Sequence, residues 1–330
     1  MEARPEGIKV PMKVEYAAGW ISWVAATTGC LRALGASCDP ADVAGYSGYA
    51  FHLCAHETLC PSGPTILDWE SLGWGARFLG RSTLAYHSGQ CHTGDFISDM
   101  TRGHCRTAFE LARAEVEAGR PCVLWGAYIP EFCIVTGIEG ESYIVESFKS
   151  CMGQEQPPIK FDELDAPGGA YVLAFPDEVK LKQSDGDKHA VFRALELWRR
   201  PRGKYAFGRD AYDLWMESLN AKRADGGGNA YNAACYAEGR RFAAAFLARA
   251  AERNPGVGGE LNGAAGEYAK AAEAMAKVAK LFPFPGSWGT PVTDENAIGE
   301  ACDALAVARD AESAAMDVLE KVAAMEWGGG

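Results

Sequence analysis

Four short runs rich in Val, Ile, Tyr and Phe constrain the fold more than any other feature of this chain. They are residues 121–125 (PCVLW), 132–137 (FCIVTG), 142–146 (SYIVE) and 170–175 (AYVLAF). Each is bounded by Gly, Pro or acidic turns, the pattern of β-strands. Residues 137–141 (GIEGE) fit a hairpin turn between the second and third. Ahead of the runs, residues 17–34 are apolar almost all round and stop at Gly35, as a buried helix does. Residues 40–44 read as a short helix capped by Asp39, and residues 68–79 and 107–118 as further helices. Beyond Lys188 no segment reads as a strand. Residues 189–199, 209–223, 229–253, 261–282 and 294–326 read as helices. In the last of these, Ala301, Leu305, Ala308, Ala311, Ala315, Val318, Val322 and Met325 recur at spacings of three and four. Gly226-Gly227-Gly228 and residues 283–291 (PFPGSWGTP) read as loops, and the polar stretch 180–188 as a linker. Helices followed by an antiparallel sheet make an α+β domain over residues 1–180, with an all-α helical domain over 181–330.

Composition narrows the function classes. The formal net charge of −12 gives phosphate no attraction, so neither nucleic acid nor an anionic membrane surface is expected as a partner. The chain has 11 cysteines, an odd count without a CxxC pair. That favours free thiols in a reducing compartment over a disulfide scaffold, and a cytoplasmic location. Residues 17–31 carry no charge, but Glu15 precedes them where a signal peptide needs a basic region. The run also falls short of the ~20 residues that span a bilayer. The alanine-rich helices can pack within the chain or between copies, so a homo-oligomer is compatible with them. No cofactor is expected.

Residues 51–64 (FHLCAHETLCPSGP) hold the densest set of reactive side chains. Cys60 stands before Pro-Ser-Gly-Pro, a rigid turn whose backbone N–H groups could stabilise a thiolate. On a functional reading Cys60 is the nucleophile and His56 the base, with Glu57 or Glu131 orienting it. On a structural reading Cys60 is a buried thiol beside a tight turn. A metal reading starts from His52 and His56 at helical spacing, joined by Cys54, Cys60, His87, Cys91 and His92, soft ligands suited to zinc or copper. Cys54 shares no helical face with the two histidines and paired-cysteine knuckles are missing. No metal is therefore assigned, and His52, His56, Cys54 and Cys60 remain as the alternative ligand set. Residues 125–131 (WGAYIPE) offer Trp125 and Tyr128 as an aromatic pocket wall beside Glu131, or else as a packed strand end. Gly126 would let another group approach the backbone.

The segment Gly119-Arg120-Pro121, the strand after it, and Pro130-Glu131-Phe132-Cys133-Ile134-Val135-Thr136-Gly137 resemble the family typified by the N-terminal domain of butirosin biosynthesis protein H. Gly45-Tyr46-Ser47-Gly48-Tyr49-Ala50-Phe51 and Cys60-Pro61-Ser62-Gly63-Pro64-Thr65 carry the same resemblance, which covers roughly residues 15–175. It implies a papain-like fold of the C39 peptidase type and transfer of an acyl group from a carrier-bound thioester to an amine. It also implies a nucleophilic Cys at the start of the first long helix, a His opening the strand at residue 131, and an orienting group near Glu146. This chain has Gly19-Trp20-Ile21-Ser22-Trp23 at the first place and Glu131 at the second, so the ordinary peptidase triad is missing. The expectation is a small-molecule acyl-transfer or amide-chemistry enzyme acting through Cys60, His56 and Glu131 on a small-molecule or carrier-bound substrate. The alternative is an inactive papain-like protein that binds a small ligand or a soft metal.

Overall fold

The computed structural model describes residues 7–88 and 99–327. Along the chain run β1 (Ile8–Lys9), α1 (Ser22–Ala33), α2 (Pro40–Ser47), β2 (Cys54–His56), α3 (Trp69–Leu72), β3 (Leu84–His87), α4 (Asp99–Glu117), β4 (Cys122–Trp125), β5 (Phe132–Glu139), β6 (Ser142–Glu146), α5 (Phe148–Cys151), β7 (Ile159–Lys160) and β8 (Tyr171–Ala174). There follow α6 (Gln183–Trp198), β9 (Tyr205–Phe207), α7 (Gly208–Asn220), α8 (Gly226–Arg253), α9 (Gly258–Leu281) and α10 (Glu295–Ala324). The class is α+β. Among the described residues no helix is long and apolar enough to cross a membrane.

Two units emerge. One holds the chain up to Val43 and Trp69–Leu181; the other holds Ala44–Asp68 and the chain from Lys182 onward. This departs from a simple division at residue 180, because residues 44–68 belong with the helices. The cause is a set of α8 side chains that hold their backbone.

In the first unit the antiparallel sheet runs β3-β8-β4-β5-β6-β7, with β1 added to β5. The four runs read as strands are β4, β5, β6 and β8. β4 and β8 are buried along their whole length, as central strands covered on both faces should be. β6 alternates, with Tyr143 and Val145 buried between half-buried neighbours. The hairpin turn is tighter than residues 137–141 suggest: β5 runs on to Glu139, and Gly140 takes a φ of 58°, which glycine adopts without strain. α1 is buried from Ser22 to Leu31, in keeping with its apolar run, but residues 17–21 lie ahead of it. The helix expected over 68–79 breaks after Leu72 into a 3₁₀ stretch, Gly73–Leu79. Gly73 lies against β8, and a Cβ there would come within 2.8 Å of Leu173 Cδ1.

In the second unit α9 packs against both α8 and α10. Alanines 233, 271, 301 and 308 are fully buried beside Trp215, Met275 and Leu305, so small side chains let the helices approach closely. Asp225 caps α8 by accepting from the Gly228 N–H, and Asp294 caps α10. Residues 226–228 are therefore the first turn of α8 and not a loop. Their missing side chains have a structural reason: a Cβ on Gly228 would lie 2.2 Å from the Leu59 carbonyl oxygen. The stretch read as a linker is in part the first turns of α6. β9 was not expected after Lys188. Its three residues pair antiparallel with β2, His56 opposite Tyr205, across a sequence separation that local pattern does not register.

Candidate functional site

Asn232, Tyr236 and Arg240 recur every four residues along α8 and so form one stripe. Each holds the backbone of the segment that carries the reactive side chains. Asn232 Nδ2 donates to the carbonyls of Leu59 (3.1 Å) and Cys60 (3.2 Å). The Tyr236 hydroxyl accepts from Cys54 N–H at 3.1 Å and donates to Cys54 O at 2.6 Å. Arg240 Nη1 donates to His52 O at 2.6 Å. The Asp225 N–H adds a bond to Thr58 O, and the Tyr49 hydroxyl one to Pro64 O. These contacts hold Leu59 at a φ of 53°, unusual for a branched side chain.

Arg240 is itself fixed by a buried carboxylate. Its guanidinium makes three contacts of 2.9–3.1 Å with Glu312 of α10, and both side chains are fully buried. Tyr212 of α7 and Tyr268 of α9 donate to the same carboxylate at 2.7 and 3.0 Å. Burial opposes the Arg240 charge, and the Glu312 carboxylate outweighs it, holding the guanidinium above its ordinary value. Four helices thus meet at one polar knot that leads to His52 O.

His52 is buried and 1% exposed, away from solvent. Its Nε2 lies 3.0 Å from Gly63 O, an acceptor, so the ring proton sits there. Burial pulls the imidazole down to about 3, and the neighbouring Arg240 adds to the effect, so the ring stays neutral.

Cys60 is partly exposed. Ser62 Oγ donates to its sulfur at 3.0 Å, and the Tyr205 hydroxyl lies 2.9 Å from Ser62 Oγ. Where the one Ser62 proton is on sulfur, Tyr205 is the donor to Ser62; otherwise either hydroxyl can donate. The His56 ring lies 5.4 Å from that of Tyr205, centroid to centroid. His56 Nδ1 accepts from the Thr58 N–H at 3.3 Å and lies 2.9 Å from Thr58 Oγ1. In the neutral ring the proton is therefore on Nε2, and no hydrogen bond joins His56 to Cys60. The expected base role rested on a helical turn; the segment is instead a strand followed by a turn. Glu57 is exposed to solvent. Burial pushes the Cys38 thiol up to about 12 and raises Cys30, Cys54, Cys122 and Cys133 strongly.

The metal alternative is not supported. Among the described residues no group of three or more His, Cys, Asp or Glu is arranged to hold an ion. His52 Nε2 is engaged by Gly63 O, Cys54 is buried in β2, and residues 52–56 are not helical. His87 stacks on Trp69 at 5.1 Å. Cys91 and His92 lie outside the described residues.

The remaining candidates belong to the sheet unit, so Glu131 does not share a unit with Cys60 and His56. At the place where the resemblance implies a nucleophile, Ser22 opens α1, and its Oγ accepts the Phe132 N–H at 3.1 Å. That N–H belongs to the first residue of β5, next to half-buried Glu131. Trp125 is 3% exposed, donates to Pro167 O at 3.0 Å and packs edge-on against Trp69, so it is a core residue and not a pocket wall. Gly126 does admit a close approach, but by the chain itself: a Cβ there would lie 2.4 Å from Asp165 O. Tyr128 donates to Pro157 O at 2.8 Å beneath the Lys149 ammonium, and burial, then Cys133 and Glu146, push its hydroxyl up to about 12. Glu146 accepts from Gln156 Nε2 at 3.4 Å.

Tyr205 and Asn232 escaped the sequence reading, and Ser62 entered it only as a turn residue. For Asn232 a signal existed: polar residues 232, 236 and 240 break an alanine-rich helix at fixed spacing. No family model matches the chain, and no curated protein matches it.

Proposed function

We propose that the chain is a thiol-dependent enzyme of acyl-transfer or amide chemistry acting on a small-molecule or carrier-bound substrate, with Cys60 as nucleophile. The observation that carries this reading is the hydrogen bond from Ser62 to a partly exposed sulfur, on a turn that α8 holds rigidly. A donor aimed at sulfur stabilises the thiolate, the form that attacks. The sulfur electron pair attacks the acyl carbonyl, the bond to the leaving thiol or amine breaks, and that group departs with a proton. An amine or water then attacks the Cys60 thioester and restores the thiolate. The free thiols of the ten described cysteines suit a reducing, cytoplasmic setting. His56 packs beside this chain of donors and is not assigned the base.

A test is turnover of a short acyl-pantetheine thioester with a primary amine, followed by loss of thioester absorbance. The expected result is turnover by the wild-type chain and none by Cys60→Ala. Turnover retained in Cys60→Ala would exclude the reading.

One observation favours the second reading, a ligand-binding protein without catalysis. Ser22 stands at the start of α1, and its hydroxyl is engaged in holding β5. Ligand binding with no turnover in the same assay would support that reading.

A further inference from the structure

We infer that Tyr205 is a positioning residue for Cys60 and that, with Ser62, it forms a two-hydroxyl relay carrying the thiol proton to solvent. The inference rests on the reading of Cys60 as nucleophile. Ser62 Oγ lies 3.0 Å from sulfur and 2.9 Å from the Tyr205 hydroxyl, and either hydroxyl can donate to the other, so the pair can carry a proton in both directions. Tyr205 is partly exposed, and β2–β9 pairing sets it opposite His56.

The relay runs in balance. The Cys60 proton passes to Ser62 Oγ as the Ser62 proton passes to Tyr205 and the Tyr205 proton to water. The net change is one proton lost from sulfur. Both hydroxyls then rotate to donate toward the thiolate, Ser62 to sulfur and Tyr205 to Ser62. The leaving group takes a proton from water along the same path in reverse. The titratable and charged groups beside the relay are His56 on β2, whose ring faces Tyr205, and Arg200, which lies over the Phe207 ring of β9 and acts on Cys54; Asn232 and Tyr236 of α8 bond the Cys60 and Cys54 carbonyls.

An independent observation points to a ligand at this turn. Asn232 is 1% exposed, and its Oδ1 meets no donor among the described residues. That oxygen lies 3.4 Å from where a Cβ on Gly63 would stand, so it faces the turn of residues 60–63. A buried acceptor left unanswered is costly, and a donor that reached this turn would answer it. An acyl group bearing an amide N–H is of that class.

The test is the rate of iodoacetamide alkylation of Cys60 between pH 5.5 and 9, read by peptide mass spectrometry in the full chain, with exposed Cys151 as internal reference. Tyr205→Phe keeps the ring against His56 and removes only the hydroxyl; Ser62→Ala removes the second link. Both variants should lower the Cys60 rate at pH 7 by about three- to tenfold, the range one hydrogen bond allows, and move its profile to higher pH. The Cys151 rate should not change. A wild-type Cys60 that reacts no faster than Cys151 sinks the nucleophile reading itself. A reactive wild-type Cys60 with an unmoved profile in Tyr205→Phe overturns the relay alone. So does a uniform rate loss without a shift in pH, because a purely structural role would produce it.

Discussion

Replacing Arg240 with Met removes a guanidinium that makes three contacts with Glu312 and one with His52 O. What remains is a fully buried carboxylate held by two tyrosine hydroxyls, and a carbonyl without its donor. Breaking a buried pair from one side costs about 3–5 kcal/mol, a large part of a typical ~5–15 kcal/mol total. Glu312→Leu should cost about as much, since it leaves the guanidinium uncompensated in the same core. Applied together, the two changes should cost about as much as either alone, not their sum. The buried charge is gone, and the Tyr212 and Tyr268 hydroxyls and His52 O are then the groups left without partners. Hydrogen exchange of α8 and α10 peptides across a urea series reads this helical unit separately from the sheet unit. Additive losses would refute the account, because they would mean that the two side chains stabilise the core independently.

Other consequences follow from the same packing. Gly228→Ala should destabilise by more than ~2 kcal/mol in urea unfolding, because the new Cβ would stand 2.2 Å from a backbone oxygen. Gly263→Ala, with open space around it in α9, should stabilise by about 0.4–1 kcal/mol. Ser22→Ala should cost about 1–3 kcal/mol in the sheet unit, measured by exchange of β5, since the buried Phe132 N–H loses its acceptor. The native His52 stays neutral down to about 3, whereas the unfolded ring takes a proton near 6.5. The unfolded state therefore binds more protons between those values, and stability is full above pH 6.5 and falls toward pH 3. At pH 4.5 the loss is about 2–3 kcal/mol, and His52→Gln should remove that part of the slope in acid titrations of unfolding.

The longer elements were legible in the sequence for plain reasons. α10 carries a sustained three-and-four spacing, and β4 and β8 are apolar runs between turn residues, so local pattern and tertiary burial agree. The start of α8 was not legible: three glycines look like a loop, and only the approach of Leu59 explains them as a helix turn. Residues 51–64 are chemically dense in the sequence, yet their geometry depends on partners remote in sequence. Asn232, Tyr236 and Arg240 hold the backbone at residues 52, 54, 59 and 60, Tyr205 meets Ser62, and no spacing within the segment encodes these partners. The helical turn that would bring His56 to Cys60 is absent for the same reason: pairing with β9 imposes a strand there. Trp125 illustrates the opposite ambiguity: an aromatic at a strand end reads alike as pocket wall or core until its neighbours are known.

The central claim is that Cys60 forms a covalent acyl intermediate, and the most direct measurement is peptide-level mass spectrometry after brief incubation with an acyl-pantetheine thioester and acid quench. The account predicts a hydroxylamine-labile acyl mass on the peptide containing Cys60, absent from Cys60→Ala and diminished in Ser62→Ala. An unmodified Cys60 peptide after incubation, or an acyl mass confined to exposed Cys151, would contradict it.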